Sequence, residues 1–100
     1  MQAKLINSDG RAVIQLQGRF DFNAHREFRD AVDSAMAGTE RELHVDLGGV
    51  DYLDSSALGM LLMLRDKAKS NNREVALTHC TGAVKQVLDI ANFPKLFRII

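Results

Sequence analysis

Asp54-Ser55-Ser56 sets a carboxylate directly before two hydroxyls, with Asp51 just upstream. A serine among acids suits one of two kinds of chemistry: nucleophilic catalysis, or acceptance of a phosphoryl group. Nucleophilic catalysis needs a base in reach of the hydroxyl and a third group to orient that base. Ser55, His25 and Asp21 supply the residue types. The Gly-x-Ser-x-Gly turn that presents such a serine is absent, however, and His25 reads more simply as a polar residue in the first turn of a helix. His79 and Cys80 are adjacent at a strand end, a poor geometry for one metal ion, and no further ligands cluster with them. No Gly-x-x-x-x-Gly-Lys phosphate loop is present. The chain therefore reads as a non-enzyme with no cofactor and no metal site, which leaves Ser55 as a phosphoacceptor or a plain helix cap.

Those residues must be positioned by the elements around them. Leu5-Ile6, the turn cluster Asn7-Ser8-Asp9-Gly10 and the alternating run Ala12–Gln17 predict a β-hairpin ended by Gly18. From Asn23, a plausible N-cap, the period becomes helical: Ala24, Phe28, Ala31, Val32 and Ala35 form one stripe, and Gly38 marks the exit. Leu43, Val45 and Leu47 alternate with His44 and Asp46 as a third strand, with His44 outward. Gly48-Gly49 and Asp51 then read as a loop. A second helix is predicted from near Ser55 to about Ser70, stopped by Asn71-Asn72. Val75-Ala76-Leu77 is a fourth strand. Thr81 can cap a third helix carrying Val84, Val87, Leu88 and Ala91, which Asn92 and Pro94 end. Phe97–Ile100 is a last short strand. The order β-β-α-β-α-β-α-β predicts an α/β fold: a mixed sheet of four to five strands, parallel where helices cross over, packed with those helices.

On that reading Ser55 opens a helix. Asp54 or Ser55 can cap it by accepting a bond from a free backbone N–H. The same end of the helix favours added negative charge by roughly 0.3–1 kcal/mol at an exposed site. Acidic neighbours act in the opposite sense. A phosphoserine carries about −1.5 to −2 charges, and unit charges about 4 Å apart repel by about 4 kcal/mol at an effective dielectric near 20. Since ~1.4 kcal/mol is tenfold in affinity, one phosphoryl group suffices to abolish a docking contact.

Composition narrows the rest. The chain has 100 residues and is 46% hydrophobic, enough for one domain over residues 1–100 with one core. Its formal net charge is zero, and Lys and Arg are scattered without a basic run, which argues against direct nucleic-acid binding. The single cysteine, Cys80, forms no internal disulfide. The first residues are too short in apolar content for a signal peptide, and no apolar run approaches the ~20 residues that cross a bilayer. A cytoplasmic protein with no membrane association, monomeric when free, is expected.

Val45-Asp46-Leu47, a short loop and Asp54-Ser55-Ser56-Ala57-Leu58-Gly59 together resemble the signature of STAS domains, a family that includes bacterial anti-sigma factor antagonists. Gly18-Arg19-Phe20-Asp21 is similar to that family's Gly-x-Leu-Asp element, and Gly82–Leu88 to the start of its third helix. The resemblance spans nearly the whole chain. It implies that Ser55 is phosphorylated by a serine kinase that is itself the anti-sigma factor. The unphosphorylated form would bind that kinase and so free the sigma factor, and a separate PP2C-type phosphatase would reset the switch. It also implies that Asp21 and Asp54 flank the phosphoacceptor and that Ser56 is its small neighbour. Ala57 departs from the glycine many members carry there, which bears on partner identity.

The helix that follows Ser55 is apolar around most of its circumference. Met60 and Met63 lie about a turn apart and suit an adaptable flank near the exposed edge, or equally the core. With Asp51, Ala57 and Gly59 they make up the expected partner surface. Gly59 costs roughly 1 kcal/mol against alanine inside a helix, which a close approach by a partner or another backbone would explain. The alternative reading within the same family is a regulatory or structural subunit of a membrane transport complex, indifferent to replacement of Ser55.

Overall fold

Ala12, Ile14 and Leu16 on one strand meet Leu43 and Val45 on the next in a five-stranded sheet, in a computed structural model that describes residues 1–100. The strands are β1 (Gln2–Ser8), β2 (Arg11–Phe20), β3 (Glu42–Leu53), β4 (Glu74–Thr78) and β5 (Arg98–Ile99), and they lie side by side in chain order. β1 and β2 form the expected antiparallel hairpin. Its turn is Asp9-Gly10, both at positive φ, as a tight two-residue hairpin requires. The later pairs are all parallel, joined by α1 (His25–Met36), α2 (Ser55–Ser70) and α3 (Gly82–Ile90). The element order and mixed α/β sheet are those expected.

Each parallel crossover steps one strand in the same direction. Right-handed connections then put the helices on one face, and the core agrees. Its strand members Ala12, Ile14, Leu16, Leu43, Val45 and Leu77 share a face and pack with Phe28, Val32, Leu61, Leu64 and Leu88 of the helices. The other face has no helical cover. There Arg11, Val13, His44, Thr78 and Arg98 line a shallow concavity. His44 does sit on this outer face, but its side chain is covered. It is 8% exposed, its Nε2 has no hydrogen-bond partner, and the nearest acid is Glu42 at 3.8 Å. No helix is long and apolar enough to cross a membrane.

Three local expectations are corrected. β2 does not end at Gly18 but continues to Phe20. Gly48-Gly49 and Asp51 are not a loop, because β3 runs through them to Leu53. The glycine pair passes as strand because the β2–β3 register shifts there, between Gln15 and Gln17 and again between Gly18 and Arg19. At Gly49 a Cβ would stand 2.8 Å from the Leu16 carbonyl oxygen. The glycine thus marks backbone contact inside a bulged ladder, a recurrent use of glycine in strands. Asn23 is not an N-cap: it lies within a short 3-10 turn, Phe22–Ala24, that Asp21 caps.

These contacts separate two glycines. Gly49→Ala forces the strands apart and should cost about 1–3 kcal/mol of stability. A Cβ added at Gly59 would meet nothing within 4 Å, so Gly59→Ala should gain up to about 1 kcal/mol. Urea denaturation of both variants measures the opposite signs.

Candidate functional site

The β2–β3 ladder sets the site. Its last register pair is Phe20 with Leu53, both buried, and the Asp54 amide then donates to the Phe20 carbonyl at 3.4 Å. Asp21 and Asp54 therefore leave the sheet from neighbouring strand ends, and each starts a helical turn. Asp21 Oδ1 accepts from the Asn23 amide at 3.0 Å, and Arg19 Nε lies 3.5 Å from its other oxygen. Asp54 is extended, and its Oδ1 accepts from the Ala57 amide at 3.1 Å. Of the two residues able to cap α2, Asp54 is the one that does.

Ser55 is thereby released from capping. It is the first residue of α2 and exposed, and its hydroxyl forms no hydrogen bond within the chain. The N–H groups of Ser55 and Ser56 precede the first intrahelical bond, which runs from the Leu58 amide to the Asp54 carbonyl at 3.2 Å. An exposed hydroxyl, free helix-end donors and an adjoining carboxylate thus share one spot.

Beside it runs a groove of about 290 Å³ between the start of α1 and the first half of α2, lined by Phe22, His25, Ser56, Gly59, Met60 and Met63. Four expected residues, Ser56, Gly59, Met60 and Met63, meet there. Two expectations about the partner surface need correction. Ala57 is fully buried and Met60 is only 5% exposed. They belong to the core because they share a helical face with Leu61 and Leu64. Met63 is half-buried and Gly59 exposed, so these two carry the reachable surface. Gly59 has no close backbone neighbour within the chain, which removes internal packing as its explanation. Asp51 is exposed on β3, outside the groove.

Phe22 is the feature that sequence reasoning missed. It is 71% exposed, with its ring 6.5 Å from that of His25. The signal was available: Phe22 falls outside the apolar stripe of α1 and directly follows an acidic cap. Arg19 also stacks 4.0 Å over the Tyr52 ring at the ends of β2 and β3. His25 hydrogen-bonds neither Ser55 nor Asp21, so the Ser-His-Asp set is not assembled. Near the end of β4, His79 Nδ1 lies 3.2 Å from Asp46 Oδ1, and the Cys80 thiol points back to the Thr78 carbonyl at 3.9 Å. Burial pushes that thiol above its ordinary range. Asp46 and Asp89 add to the shift, and Lys85 opposes it.

A small α/β domain here presents an unbonded serine on an acidic-capped helix beside a groove. The chain belongs to the STAS domain family: the family model described as "Mlab, STAS domain" matches residues 5–98. A STAS-domain containing protein of Pseudomonas aeruginosa (strain UCBPP-PA14) is 51% identical over 96 residues, which cover 95% of this chain and 94% of that one. The crystal structure of an anti-sigma factor antagonist from Mycobacterium paratuberculosis superposes with a TM-score of 0.87 at 19% identity, over 98% of this chain and 83% of that one. The Bacillus cell fate determinant SpoIIAA, solved in its phosphorylated form, gives a TM-score of 0.72 at 17% identity over 98% and 90%. Both structures share this fold.

The division of labour between Asp54 and Ser55 is measurable. Asp54→Ala should lower stability by about 1 kcal/mol through loss of the cap, whereas Ser55→Ala should leave the urea midpoint unchanged. Cys80, held as a thiol by burial, should react slowly with iodoacetamide at pH 7–8. The rate should rise only as the pH passes above the ordinary cysteine range, and fast alkylation at neutral pH would contradict the burial argument.

Proposed function

We propose that this protein is an anti-sigma factor antagonist that works by partner switching. Its unphosphorylated form docks an anti-sigma factor that is also a serine kinase, through the groove beside Ser55. The kinase phosphorylates Ser55 and is released, and a PP2C-type phosphatase restores the binding form. Asp21, Asp54 and Ser56 are the phosphosite's neighbours. Gly59, Met63 and Phe22 form the apolar contact, and Asp51, exposed outside the groove, adds a carboxylate to the docking surface.

The observation that carries this reading is the state of the Ser55 hydroxyl: exposed, unbonded and relieved of capping by Asp54. A serine serving only as a cap would make the capping bond itself. The geometry also fits a switch that alters binding and not folding. On the free surface a new charge about 4 Å from a carboxylate costs only about 1 kcal/mol per unit pair in water. In a docked interface, where the effective dielectric falls to about 20, it costs nearer 4. The helix end offsets roughly 0.3–1 kcal/mol of this. The penalty therefore appears chiefly when a partner covers the site.

Affinity capture from the host lysate, with Ser55→Ala and Ser55→Asp proteins as bait, tests the reading. A serine kinase retained by the alanine form and lost from the aspartate form, with at least tenfold weaker affinity on direct titration, is the expected result. The same partners on both baits, transporter subunits among them, would show Ser55 to be no switch. Gly59→Ala should fold at least as stably yet bind that kinase more weakly, since a methyl group would stand where the partner approaches.

A further inference from the structure

The end of the molecule remote from Ser55 holds a cavity of about 350 Å³, between the last turns of α2, the start of β4 and β5. Its charged lining is Arg65, Lys69, Arg73 and Arg98 against Glu42 and Glu74. On a chain of zero formal net charge, four cations against two carboxylates is a local excess of positive charge.

How each cation is held decides what that excess can do. The Arg73 guanidinium donates to the Ala35 carbonyl at 2.7 Å and the Met36 carbonyl at 3.4 Å, at the end of α1. Arg65 Nε donates to the Leu96 carbonyl at 2.7 Å. Both groups are fixed by neutral oxygens, so they are positioned without being neutralised; the nearest acid to Arg65 is Asp66, at 3.9 Å and largely in solvent. Lys69 forms neither a hydrogen bond nor an ion pair. Arg98 differs, since its Nη1 donates to Glu42 at 2.9 Å and closes one wall. Glu74 pairs with no cation and is the one carboxylate that opposes an anion. Attraction of cations to helix C-termini accounts for Arg73 and contributes at Lys69. It does not account for Arg65, which lies further back along α2.

The chemistry that satisfies such a site is a phosphate group. Two positioned arginines and an unpaired lysine exceed what one carboxylate neutralises, and arginine forks match the oxygens of phosphate. The volume sits at the lower end of the range for small-ligand pockets, roughly 300–1,000 Å³, and Val75, Ala76 and Leu96 give it an apolar side. We propose that this cavity binds a small molecule through a diphosphate group held by Arg65, Lys69 and Arg73. A rise of about 1.5 Å per helical residue puts Lys69 about 21 Å from Ser55 along α2, so the site stands independently of the phosphorylation reading.

Titration of the full chain with inorganic pyrophosphate and with ADP, followed by amide NMR shifts and calorimetry, tests it. Saturable shifts are expected at Lys69, Arg73, Val75 and Leu96. Affinity should fall at least tenfold in Lys69→Glu, an exposed position that leaves the fold intact, and should be unchanged in Ser55→Ala. Tighter binding of ADP would assign the organic body to the Leu96–Val75 side, and equal binding would assign free diphosphate; either supports the site. Lys67→Glu is the control, because Lys67 lies two residues away and pairs with Asp33. Unsaturable shifts scattered over the surface lysines and arginines, or equal weakening by Lys67→Glu and Lys69→Glu, would overturn the proposal.

Discussion

Everything at the site depends on how far the parallel pairing of β2 with β3 extends. A ladder that stopped at the glycine pair would leave Asp21 and Asp54 on separate loops. Instead the pairing shifts register at the close contact between Gly49 and Leu16 and continues until Phe20 lies beside Leu53. Two buried apolar side chains thus fix the point where two acidic turns emerge. The core below holds that point in place: Phe28 packs against Phe20 with ring centroids 5.0 Å apart, and Leu61 and Leu64 anchor the helix that Ser55 begins.

The local electrostatics follow from which residue caps. Because Asp54 takes the Ala57 amide, its carboxylate stays at the helix start and Ser55 is turned free. The helix end draws a phosphate inward while the carboxylate beside it pushes outward, and both effects are small while water surrounds them. Covering the same group with a partner removes the water and enlarges the repulsion. A phosphoryl group added at such a site would alter an interface strongly and the fold weakly.

The helices, the strand order and the position of Ser55 were legible because each rests on a local signal. Apolar residues recur at helical spacing in α1 and α3, and core residues alternate with outward ones in β2 (Ala12, Ile14, Leu16) and β3 (Leu43, Val45, Leu47). An aspartate precedes the serines, and an asparagine pair ends α2 with Asn72 at positive φ. The length of β3 was not legible, since a glycine pair signals a turn unless the neighbouring strand is known to press against it. Nor was the division between Met60 and Met63. α2 is apolar on nearly all sides, so its sequence has little periodicity to distinguish the residue that meets the sheet from the one that lines the groove. Exposure of Phe22 and convergence of Arg65, Lys69, Arg73 and Arg98 on one cavity depend on contacts between residues distant in sequence.

A phosphoryl group on Ser55 should change what the surface binds and not how the chain folds. Phosphoserine placed at position 55 during synthesis allows amide NMR to test this directly. Shift changes confined to residues around 20–25 and 54–60 are expected, with the sheet amides and the urea midpoint essentially unmoved. Shifts spread through β2, β3 and the helical core, or a stability loss of several kcal/mol, would contradict it.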